Sequence, residues 1–151
     1  MKIESYQNRS NNTFTGFRFD NASKGRFVRV LREINDPVFT DKCRSVINSQ
    51  KKNPIPIDIR NMEHFFGQEV DDGFLAYVNG KFSHDDSAID SIGLMNIRCM
   101  IDGEYSLLRF LKKAAKEADN VYHKCMHRAI ENGRNETRLN ERVIRSIDEL
   151  A

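Results

Sequence analysis

His123 and His127 lie four residues apart, so a helix carries both on one face, the spacing at which two imidazoles reach the same zinc ion. A catalytic zinc needs a third ligand, and none is offered nearby. In metallopeptidases a glutamate general base follows the first histidine; here that place is Lys124, and Cys125 turns to the opposite side. The pair reads as surface histidines, and no metal is assigned. The acids between Glu63 and Glu104 are the other candidates, since converging carboxylates hold a divalent ion and direct water at a phosphodiester. They have no fixed spacing, and Asp71-Asp72-Gly73 and His84-Asp85-Asp86-Ser87 suit turns and helix caps. There is no Gly-x-Ser-x-Gly elbow and no glycine-rich phosphate loop. The chain therefore reads as a binding protein rather than an enzyme, with no cofactor, and a metal-dependent phosphodiester hydrolase stands as an alternative.

The stronger pattern is cationic. At about 100° per residue, Arg109, Lys112 and Lys116 share an arc with Asn120, His123 and His127, facing away from the apolar stripe of the same segment. Farther on, Arg138, Arg142 and Arg145 recur at four- and three-residue steps on one face. Near the start, Arg18, Arg26 and Arg29 interleave with Phe14, Phe17, Phe19 and Phe27, as in grooves that stack bases on rings and hold phosphates on cations. These nine cations are the expected phosphate contacts, and nucleic acid is the expected partner. Each set also has a plainer reading. Glu141 sits four residues before Arg145 and Glu131 three before Arg134, so the ridge would be a solvated face with local pairs. Strand alternation likewise puts Phe17 and Phe19 opposite Arg18, as core against surface.

The elements that must position these residues follow from period and punctuation. Thr13–Phe19 and Arg26–Arg32, separated by Asp20-Asn21-Ala22-Ser23-Lys24-Gly25, read as two strands of a β-hairpin with a longer loop. Residues 1–11 read as a flexible lead-in. Asp36-Pro37 reads as an N-cap with proline at the first helical position, opening a helix that ends near Gln50. Ile55–Ile59 reads as a short strand with Pro56 at its edge, and Met62, Phe65 and Phe66 as a helical turn. Phe74–Val78, Asn79-Gly80 and Lys81–Ser83 make a tight hairpin. Ile89–Ile101 fits either period and is read as strand. Leu107, Leu111, Ala114, Ala118, Val121, Cys125 and Ala129 mark a long amphipathic helix from about Glu104 to Asn132, stopped by Gly133. A second helix from about Glu136, with Leu139, Val143, Ile147 and Leu150 on one face, folds back to form an antiparallel helical hairpin. Strands early and helices late predict one α+β domain over residues 1–151, a small antiparallel or mixed sheet covered by the helical pair.

Composition agrees with a single globular unit: 151 residues, 39% hydrophobic, 30% charged and ten phenylalanines supply a core and exclude a disordered chain. No apolar run reaches the roughly 18 residues of a membrane span. Met1–Ser5 is not apolar, and Cys43, Cys99 and Cys125 are odd in number with no Cys-x-x-Cys spacing, so the expected setting is the cytoplasm with reduced thiols. Net charge is +2, with an excess of bases over residues 1–60 and of acids over 61–110. The acidic stretch 61–104, or the helical hairpin, is the expected contact surface of a second function class, a regulatory or inhibitory protein that binds another protein. Self-association through the long helix belongs to the same class.

Overall fold

A computed structural model of the chain describes residues 16–65, 68–82 and 100–150. Their order is β1 (Phe17–Phe19), α1 (Asn21–Ile34), α2 (Pro37–Ser49), β2 (Ile57–Phe65), β3 (Gln68–Val78), β4 (Lys81–Phe82), β5 (Met100–Ile101), β6 (Glu104–Tyr105) and α3 (Ser106–Leu150). β1 to β4 form one mixed sheet in sequence order. β1 runs parallel to β2, with Phe17 opposite Ile57, and β3 and β4 continue antiparallel. β5 and β6 form a separate small ladder. The fold is α+β, as the sequence predicts.

One face of the sheet makes the core. Ile57 and Ile59 of β2 and Phe74, Ala76 and Val78 of β3 are buried together with Phe27 and Val30 of α1, Phe39 and Cys43 of α2, and Leu107, Leu108 and Leu111 of α3. Residues of the intervening parity, Asp58, Arg60 and Tyr77, face outward, as a period of two requires. At Gly16 φ is +51°, and a Cβ there would lie 2.6 Å from the Gln50 carbonyl oxygen, so only glycine lets β1 start beside the end of α2. Its own carbonyl accepts from the Ile57 N–H at 2.8 Å, the first link between β1 and β2.

The expected N-terminal hairpin is corrected. Its second arm, Arg26–Arg32, lies inside α1, and its turn cluster is the helix cap. Asp20 accepts from the Ser23 N–H at 2.7 Å, and Ser23, Phe27, Val30 and Ile34 follow at helical steps that put the first three in the core. The apparent alternation in Arg26–Arg32 is a short sample of that longer period. The Asp20 carboxyl is held below its ordinary range by these hydrogen bonds from Ser23.

α2 matches expectation: Asp36 caps it, accepting from the Val38 and Phe39 N–H groups, and Pro37 follows the cap. The Asn79-Gly80 turn is also as expected, with φ of 54° and 76°. Met62 and Phe65 belong to β2 rather than to a helical turn, because pairing with β3 continues through a bulge between Met62 and His64.

The expected C-terminal helical hairpin is corrected as well. α3 is one uninterrupted helix of 45 residues, about 67 Å long, that passes through Gly133. Gly133 is not among the glycines of positive φ, so it does not adopt the left-handed cap conformation. Its carbonyl accepts from the Thr137 hydroxyl at 2.9 Å within the helix. A single glycine costs a helix only about 1 kcal/mol against alanine, which a long flanking run absorbs. The expected lead-in 1–11, and the strand read over 89–101 apart from Met100–Ile101, lie outside the described residues.

Candidate interaction surface

α3 has two parts. Leu107, Leu108, Phe110, Leu111, Ala114, Ala115 and Ala118 are buried in the head, and Val121 and Tyr122 pack partly against it. From His123 to Glu149 every residue is exposed. At 3.6 residues per turn, positions eighteen apart lie five turns on and directly in line. The buried set Leu107, Leu108, Leu111 therefore repeats as Cys125, Met126, Ala129 and again as Val143, Ile144, Ile147. An apolar stripe thus recurs along the helix, interrupted over residues 131–138, where no apolar side chain falls. Its first third is covered by the head, and the rest is bare: Met126, Ile130, Leu139, Val143, Ile144 and Ile147 are each 45–61% exposed.

The join between the parts is polar and specific. Asp119 accepts from the side-chain amides of Gln50 at 3.2 Å and Asn53 at 3.3 Å, and Asn53 also donates to the Gln50 side-chain oxygen at 3.0 Å. Gln50 is buried at the end of α2, so this triad fixes α3 to the head just where the bare part begins.

The nine expected phosphate contacts fall into two groups. Arg18 makes a bidentate pair with Asp58 at 2.7 Å for both bonds, so its charge is matched on the outer sheet face. Arg26 is turned inward: one guanidinium nitrogen donates to the Met62 and Gly73 carbonyls at 3.0 and 2.9 Å, beside the β2 bulge. Arg29 pairs with Glu33 at 3.6 Å, one turn on in α1. Lys112 contacts Glu104 at 2.7 Å, and that bond holds the Glu104 carboxyl below its ordinary range. Arg109 is half-buried and Lys116 is exposed. Arg138, Arg142 and Arg145 stand on the bare part of α3.

Because α3 is continuous, the cations expected on two helices share one rod. Arg109, His127 and Arg145 are in line at eighteen-residue steps, as are Lys116 and Arg134, on the side away from the apolar stripe. His127 contacts Glu131 at 3.2 Å on that side. Among the described residues no group of three or more His, Cys, Asp or Glu side chains is placed to hold a metal ion, and no helix is long and apolar enough to cross a membrane.

Two features escaped the sequence reading. The bare stripe is legible as a period, but the sequence reading expects it to be buried by a folded-back helix. The outer sheet face, with Tyr77 against Phe82 at 5.7 Å between ring centroids beside Asp58 and Arg60, had no signal beyond strand alternation. Comparison with protein-family models, with curated proteins and with solved structures finds no match to this chain.

Proposed function

We propose that this is a non-catalytic interaction protein, in which an α+β head carries a projecting helix whose apolar stripe docks against another protein. The observation that carries the reading is the five-turn repeat of the buried leucines by exposed apolar residues. Within the bare part, 132–140 includes Gly133, Asn132, Asn135, Thr137 and Asn140, all weak helix formers. Such a segment gains its stability by packing its apolar face, and the head does not reach it. Exposed apolar patches of this kind mark interaction sites. A photo-reactive residue in place of Leu139, at the edge of the stripe, tests the reading in cells. Discrete protein cross-links that vanish when Ile144→Asp and Ile147→Asp are added support it. Their absence, or their persistence in that variant, contradicts it.

A second reading, nucleic-acid binding, draws on the opposite face of the same rod. The alignment of Lys116, Arg134, Arg138 and Arg145 on one continuous helix favours it, since cations along a rod suit a phosphate backbone. Glu131, Glu141 and Glu149 intersperse that face and reduce its field. It therefore ranks below the protein-docking reading.

A further inference from the structure

The bare part of α3 carries a heptad pattern that can be paired with itself. Taking Ile130, Thr137 and Ile144 as a positions puts Met126, Gly133, Asn140 and Ile147 at d. We infer that the occupant of the stripe is a second copy of this chain, laid antiparallel, with the two-fold axis between Arg138 and Leu139. This rests on the reading of the stripe as a protein-docking face.

In that register Ile130 packs on the partner's Ile147, Gly133 on the partner's Ile144, and Thr137 on the partner's Asn140, each pair occurring twice by symmetry. Branched side chains meet at both ends, glycine makes room for an isoleucine, and the two polar positions face one another, where hydroxyl and amide can bond. Moving the register by one heptad, to a centre at Asn135, sets Ile130 against the partner's Asn140 and loses that match. The flanks select the same arrangement. Arg134 and Glu141 occupy successive e positions, and in the antiparallel register Arg134 lies across from the partner's Glu141, twice. A parallel pair would instead set Glu136 at g beside the partner's Glu141, put Gly133 on the partner's Gly133, and bring both heads to the same end. In the antiparallel pair the axis lies about 25 Å along the rod from Tyr122, so the heads stand at opposite ends.

The experiment is sedimentation equilibrium of the full chain from 1 to 100 µM, with charge variants to read orientation. The expected mass is twice the 17.5 kDa of one chain. Glu141→Arg should weaken the dimer by roughly tenfold, since two attractions become repulsions, and Arg134→Glu added to it should restore the affinity to within about threefold. A parallel dimer responds oppositely, because Glu141→Arg would relieve its repulsion with Glu136, and that result overturns the antiparallel pairing. A single-chain mass at every concentration, with the head still melting cooperatively, overturns self-pairing itself. If the Leu139 cross-links to other proteins persist in that case, the docking reading survives and only the identity of the partner fails. If they too are missing, both fail.

Discussion

Asp119 accepts a hydrogen bond from the buried Gln50 amide at 3.2 Å, one residue past Ala118, the last fully buried position of α3. This contact sets where the helix stops belonging to the head. Removing its carboxylate should leave the buried Gln50 amide without this acceptor, at a cost of about 1–3 kcal/mol. Asp119→Ala should therefore lower the chemical-denaturation midpoint, whereas Asn120→Ala, on the exposed side next to it, should leave it unchanged.

Gly16→Ala should destabilise the head by more than about 1 kcal/mol, because its φ is positive and the new methyl would meet the backbone oxygen of Gln50. Gly133→Ala, where an added Cβ meets nothing of its own chain within 4 Å, should instead stabilise α3 of the single chain, at low concentration, by up to about 1 kcal/mol, while crowding the partner's Ile144 in the dimer. Thermal unfolding of the two variants beside the parent chain checks both signs.

By residue type Arg26 and Arg138 are both expected phosphate contacts, and the structure separates them. Arg26→Ala leaves the Met62 and Gly73 carbonyls without their donor and should cost about 1–3 kcal/mol of stability. Arg138→Ala with Arg142→Ala should leave stability within about 0.5 kcal/mol. If the second reading of function holds, that double variant also weakens binding to nucleic acids of any sequence and flattens the salt dependence. Unchanged affinity in a folded double variant removes that reading.

Cys43 is almost wholly buried, and burial pushes its thiol up to about 12. The folded chain therefore holds this proton more tightly than the unfolded chain, whose thiol ionises near its ordinary value of 9.0. Stability from this group is intact below that ordinary value and falls between it and about 12, by at most about 1.4 kcal/mol per pH unit. Cys43→Ala should lower stability at pH 7 through the cavity it leaves, and should make the alkaline decline shallower than in the parent chain. Parallel declines in the two proteins would contradict the assignment. Cys125, exposed on α3, should react with a thiol reagent in the folded protein while Cys43 does not, as read by peptide mass mapping.

What was legible in the sequence is what local chemistry decides. Asp36-Pro37 and Asn79-Gly80 determine their cap and turn through backbone preferences that need no distant partner. Sequence expectation and structure part where a local signal competes with a longer one. Arg26–Arg32 alternates for a few residues, but behind the Asp20 cap Ser23, Phe27 and Val30 follow the helical period and bury against the sheet. Gly133 is a good stop signal by composition, yet nothing in the sequence reveals that no neighbour bends the chain there. The candidate surface had the same limit. The positions of Val143 and Ile147 gave the stripe, while their exposure depends on how far the head extends along α3, a tertiary quantity.

Amide hydrogen exchange along α3 in the full chain tests the central claim, that the bare stripe is covered in solution by a second copy. At 100 µM, residues 126–147 should exchange almost as slowly as 107–118, and their protection should fall on dilution or with Ile144→Asp while that of 107–118 stays. Fast exchange over 126–147 at every concentration, with 107–118 protected, would mean that the projecting helix is uncovered and frays, and would contradict the account.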